Sequence, residues 1–121
     1  VGLLVKEWKP IVRKLKAFSS SQKKKIIFTE YGYMSVDGCA GKAWEIEKAK
    51  HNLNINHFAQ SNAYDALWTS LVNEEFWAGG FLWKWFPEGM GHEGYPEKDY
   101  SPQDKPAEQV IKKWFNQNKK I

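Results

Sequence analysis

At 121 residues the chain has the length of one domain, and with seven Trp, seven Phe and five Tyr it has ample material for a core. Its net charge of +4 comes mostly from Lys23-Lys24-Lys25, Lys112-Lys113 and Lys119-Lys120, which fall at loop and helix ends and read as solvated faces. No basic stripe interleaved with aromatics marks a nucleic-acid partner, no apolar run of ~18 residues marks a membrane-spanning helix, and Cys39 has no second cysteine to pair with.

The N-terminus, Val1 to Val5, lacks the charged and apolar regions of a signal peptide and an initiator Met, and reads as starting in mid-domain. From Leu4 to Phe18, apolar residues at Leu4, Trp8, Ile11, Val12, Leu15 and Phe18 form a helical stripe. Pro10 argues that the regular helix begins near Trp8 or is kinked there. Ile26 to Glu30 then reads as a strand buried on both faces, as in a parallel sheet. A two-residue period puts Ile26, Phe28 and Glu30 on one face, expected to be a barrel interior, and turns Ile27 and Thr29 towards helices.

A long irregular segment runs from Tyr33 to Gln60, with a short helix expected around Ala43 to Lys50. Tyr64, Leu67, Trp68, Leu71 and Val72 have strong helical spacing and predict a helix from about Gln60 to Asn73. Phe76 to Gly80 leads into a second strand, expected over Gly80 to Trp85. After a long loop from Pro87 to Lys105, Asp104 and Pro106 signal a last helix, with its stripe at Ala107, Val110, Ile111, Trp114 and Phe115. Both long loops follow strands, which places the elaborated face at the strands' C-terminal ends, the functional face of parallel α/β folds.

Glu30 is the first candidate for chemistry. A carboxylate closing an apolar strand is costly to desolvate without partners, so it either serves a site or caps a neighbouring loop. A strand that delivers a Glu beside one that delivers tryptophans is how a (β/α)8 barrel builds a sugar-cleaving site. Trp83 shares the parity of Phe81 and is expected at the barrel mouth near Glu30, with Trp85 one step higher as a second platform. Lys84 would face the other way. His51, His57 and His92 have no metal-ligand spacing, no cofactor motif is present, and Asp37 and Asp99 look like turn residues.

Phe28-Thr29-Glu30-Tyr31-Gly32-Tyr33, Gln60-Ser61-Asn62-Ala63-Tyr64, Gly79-Gly80-Phe81-Leu82-Trp83-Lys84-Trp85 and Tyr100-Ser101-Pro102-Gln103-Asp104-Lys105-Pro106-Ala107 together resemble clan A glycoside hydrolases. The likeness is greatest to glycoside hydrolase family 113, the β-mannanase-like family. The resemblance implies an α/β chain, a single partial domain over residues 1–121, forming the C-terminal part of a TIM (β/α)8 barrel: helix 6, strand 7, helix 7, strand 8 and helix 8. It implies that Glu30 is the nucleophile of a retaining glycosidase and that Trp83 floors a sugar subsite. Trp85, Tyr33 and Trp44 complete the candidate sugar contacts. The family's acid/base lies on a strand with no counterpart here, so the chain is expected to need the remainder of a barrel, or self-association, and to be inactive alone. A carbohydrate is the expected partner, with no nucleic acid, membrane, metal or cofactor. The rival expectation is a carbohydrate-binding or scaffold piece that does not cleave.

Overall fold

The computed structural model describes residues 1–87 and 96–117. Helix α1 runs unbroken over Gly2–Gln22 with Pro10 inside it. The expected start near Trp8 is therefore overturned: the helix begins six residues earlier. Leu4, Trp8, Val12 and Leu15 pack against the two hydrophobic clusters of the chain, and that burial outweighs the ~3 kcal/mol a mid-helix proline costs. Ile11 and Phe18, counted in the same stripe, are exposed instead. Lys23 ends the helix in the left-handed conformation (φ 52°, ψ 38°), the usual way of satisfying the last carbonyls.

Strand β1 (Ile26–Tyr31) pairs in parallel with β2 (Trp77–Leu82). Between them come α2 (Ala43–Ala49), a 3₁₀ turn at Lys50–Asn52, and the crossover helix α3 (His57–Leu71). Asn56 caps α3, its Oδ1 accepting from the Ala59 N–H at 2.8 Å. A second 3₁₀ turn, Pro96–Lys98, precedes α4 (Pro106–Gln117). Helix α3 packs between α1 and α4. Their common core holds Tyr64, Leu67, Trp68, Leu71 and Ile111, with Tyr31 from β1 and Phe76 from the turn before β2.

Ile26, Phe28, Trp77 and Leu82 pack against this core, whereas Ile27 is 53% exposed and Phe81 65% exposed. This overturns the expected parity of β1: Ile26 and Phe28 face the helices, and Ile27 lies on the open face. Two irregularities in the pairing explain how the strands keep their apolar sides inward over odd spacings. One lies between Ile26 and Ile27, the other between Phe28 and Tyr31. Opposite the first, Gly79 takes φ +112°, which only glycine adopts readily. Beside it, a Cβ on Gly80 would come within 2.8 Å of Phe28 Cβ and 3.0 Å of Tyr31 Cδ1. Strand β2 thus begins three residues before the expected Gly80, because Gly79-Gly80 pairs with Ile27-Phe28 within the strand, just past the extra residue Ala78, and is not a lead-in to it.

The segment after β1 is not bare loop. Met34, Val36, Cys39 and Ala63 form a small second core, and Val36 bridges to Ile55.

Candidate functional site

Glu30 is exposed near the C-terminal end of β1, and its carboxylate makes no hydrogen bond or ion pair with the described residues. Tyr31, its neighbour, turns into the helix-side core. The two strands end together: Tyr31 stands opposite Leu82, and the Trp83 N–H donates to the Tyr31 carbonyl at 2.8 Å. Glu30 and Trp83 therefore sit on adjoining strand ends. Trp83, 44% exposed, lies one residue past β2 and not within it as the expected Gly80–Trp85 strand required. Any Cβ at Gly32 would collide with the Trp83 carbonyl, so glycine permits this close approach. The Trp83–Lys84 peptide bond is cis.

The other aromatic candidates are dispersed. Trp85 lines a cleft of about 350 Å³ with Leu82, Ile111 and Phe115, on the helix side of the sheet. It is not a second platform stacked above Trp83, because the chain has left the strand and the two-residue period no longer applies. Tyr33 packs edge-on against Tyr64, with ring centroids 5.1 Å apart, and burial raises its phenol well above the ordinary range. Trp44 lies in the first turn of α2, 64% exposed, with no ring contact to Trp83 or Trp85.

Sequence reasoning missed a polar network beneath the site. Asp99, expected as a turn residue, is 4% exposed. Its Oδ1 accepts from the Tyr100 N–H at 2.6 Å and lies 3.9 Å from Lys84 Nζ. The same Nζ is 5.6 Å from the Trp83 ring centroid, so Lys84 is no outer residue: it connects the exposed Trp to the buried carboxylate. Lys105 donates to Ser35 Oγ (3.0 Å) and to the carbonyls of Asp99 (3.2 Å) and Ser101 (2.8 Å). Burial lowers its amine to about 8, against the opposing pull of Asp99 and Glu97. Gln60, fully buried, donates to the carbonyls of Tyr33 (2.9 Å) and Tyr100 (3.2 Å). Gln103 mimics a paired strand: its Nε2 donates to the Phe86 carbonyl at 2.8 Å and its Oε1 accepts the Phe86 N–H at 2.7 Å. The available signal was the polar pair Gln60 and Lys105, each on an otherwise apolar helical surface or beside its start.

His92, the loop residues 88–95 and Lys119-Lys120 lie outside the described residues. Among the described residues, no three His, Cys, Asp or Glu gather as metal ligands. No described helix is long and apolar enough to cross a membrane.

The family model of Glycoside Hydrolase Family 113 matches residues 3–105. The chain belongs to glycoside hydrolase family 113. Among solved structures, a GH113 β-1,4-mannanase matches with a TM-score of 0.75 at 25% identity, over 93% of this chain. A complex structure of a GH113 β-1,4-mannanase matches with a TM-score of 0.74 at 24% identity, again over 93% of this chain. The GH113 β-mannanase AaManA from Alicyclobacillus acidocaldarius, in complex with ManMIm, matches at 0.72 and 23%, over the same share. The chain spans 36% of the length of each of these three structures. No curated protein matches it. The α/β arrangement of two parallel strands and flanking helices thus corresponds to part of a family 113 barrel.

Proposed function

We propose that this chain is the C-terminal part of a retaining glycosidase barrel, contributing helix 6 to helix 8, that acts on a β-linked, mannan-like polysaccharide. The observation that carries this reading is the pairing of an exposed, unpartnered Glu30 with an exposed Trp83 on adjoining parallel strand ends in a family 113 chain. Trp83 offers a flat apolar face for the C–H side of a sugar ring. Glu30 attacks the anomeric carbon as its bond to the leaving oxygen breaks, giving a covalent glycosyl-enzyme. A second carboxylate, about 5–5.5 Å away, protonates that oxygen and later deprotonates the incoming water. Asp99 is unsuited to that role, being buried and engaged by Tyr100 and Lys84. On this reading the acid/base comes from barrel strands beyond this chain, and the chain alone does not turn over substrate.

The test is Glu30→Ala in the complete protein, assayed on β-1,4-mannan. Hydrolysis is expected to fall by several orders of magnitude with folding preserved, since the carboxylate supports no contact. Azide should rescue the variant and give a product of inverted configuration. Substantial hydrolysis by the variant would remove Glu30 as nucleophile. Absence of hydrolysis by the unaltered protein, with retained sugar binding, would favour a carbohydrate-binding piece.

A further inference from the structure

Charge is distributed very unevenly along the chain. Residues 1–25 hold eight of the 18 Lys and Arg but one of the 14 Asp and Glu, so this stretch is +7 and the remaining 96 residues are −3. The structure gathers much of this excess along the seam between α1 and α3. One cavity there, of about 320 Å³, is lined by Lys9, Arg13, Ser70 and Glu74. A second, of about 1180 Å³, lies at the N-terminal ends of the strands, with Lys16, Lys23, Lys24 and Lys25 facing Glu74 and Glu75. Glu74 borders both, so the two form one furrow with six cations against two carboxylates. Among the described residues, Lys16 alone of the six approaches a carboxylate, with its Nζ 3.9 Å from Glu74 Oε2. At a helical rise of 1.5 Å per residue, Lys9 to Lys23 covers roughly 21 Å, a run that suits a polymer better than a single small anion.

This furrow has both of its walls within the chain. It also lies at the opposite end of the strands from Glu30 and Trp83. We propose that the furrow binds an acidic polysaccharide, a linear chain of carboxylate-bearing sugars, and holds the protein on it while the strands' C-terminal ends remain free. The choice of a polysaccharide rests on the function proposed above. The remaining features favour it over other polyanions. Five of the six cations are lysines, point charges without the fork that grips phosphate in two places. Phe76 and Trp77, the aromatics of the larger cavity, are committed to the core, which leaves nucleobases no ring to stack on. The exposed apolar residues of α1, Leu3, Ile11 and Phe18, line neither cavity, and the apolar lining of the smaller one is limited to the half-buried Val5 and Val12, short of the broad exposed apolar face by which a helix enters a bilayer surface. Ser20, Ser70 and Asn73 add neutral groups able to bond sugar hydroxyls.

The test measures binding of the protein to polygalacturonate, with neutral mannan, duplex DNA and anionic phospholipid vesicles in parallel. Polygalacturonate should bind at low ionic strength and release as salt shortens the Debye length to about 8 Å near 0.15 M. A variant carrying Lys9, Arg13, Lys16, Lys23, Lys24 and Lys25 all as Gln should bind it at least roughly tenfold more weakly. All six are exposed, so the fold should survive, as circular dichroism would verify. Glu30→Ala should bind polygalacturonate like the unaltered protein, so failure of mannan hydrolysis would count against the proposed catalysis and not against the furrow. Unchanged affinity in the six-residue variant would overturn the proposal, as would tighter binding of DNA or vesicles than of polygalacturonate.

Discussion

Tyr31 carries its phenolic oxygen into the core beside the Trp68 indole; neither polar group forms a well-aligned hydrogen bond, and the indole N–H only partly offsets the burial of the phenol. Tyr31→Phe removes a poorly satisfied hydroxyl together with its weak contact to the Trp68 N–H, so stability should stay within about 1 kcal/mol of the unaltered chain, read from the denaturant midpoint at neutral pH; a larger loss would show that contact to be a full hydrogen bond. Burial pushes the Tyr31 phenol up to about 12, and Tyr33 and Tyr64 are raised as well. Above about pH 10 the unfolded chain therefore releases phenolic protons that the native chain keeps, so their stabilising effect is lost as pH climbs. The buried Cys39 thiol, raised to about 11, acts in the same direction from about pH 9. Lys105, lowered to about 8, acts in the opposite one: between about 8 and 10.5 the unfolded chain holds a proton that the native chain has released, so its contribution rises with pH. Midpoints measured across this range should fall steeply above about pH 10, less so in Tyr31→Phe, and a flat profile would refute the buried phenols. Gly32→Ala should cost about 1–3 kcal/mol and displace Trp83, weakening sugar binding in the complete protein.

The helices were largely legible as elements, and the second strand was not. Tyr64, Leu67, Trp68 and Leu71 announce α3 because they occupy one buried face. Asp104 and Pro106 mark the start of α4 through local backbone chemistry: Pro106 is its first residue, and the Asp104 N–H donates to Glu108 Oε2 at 2.8 Å. Strand β2 was misplaced because two glycines in a row look like a break, and only its pairing with β1 reveals the bulge. The second irregularity, an extra residue of β1 between Phe28 and Tyr31, inverts the parity inferred for Ile26 and Phe28 by counting back from Glu30, since a simple alternation cannot register it. Glu30 and Trp83 stand out in the sequence as candidates because an acid ending an apolar run, and a Trp ending the next, are local signals. Asp99, Lys84, Lys105 and Gln103 were not, because their partners are distant in sequence. Gln103 shows what that network does for the segment after β2. Gln103→Ala should cost about 1–3 kcal/mol and accelerate hydrogen exchange at the Phe86 amide, the group it replaces a strand for. Unaltered exchange there would show that the brace is dispensable.

Across the whole molecule, the sheet has helices on one face and Ile27 and Phe81 bare on the other. Each such side chain forgoes roughly 1.5–3 kcal/mol while it stays in water. The isolated 121 residues should therefore self-associate, or join the rest of a barrel when it is supplied. Light scattering at micromolar concentration tests this, and a stable monomer would count against it. The network around Lys105 and Gln60 has a separate consequence for how such a chain could be altered by recombination. Ser35 comes from the segment after β1, Asp99 and Ser101 from the segment before α4, and Gln60 from the crossover helix. An exchange that imported either segment from a relative without the other would strand a buried ammonium group among mismatched carbonyls. The two segments should be inherited, and grafted, as one unit together with Gln60 and Lys105.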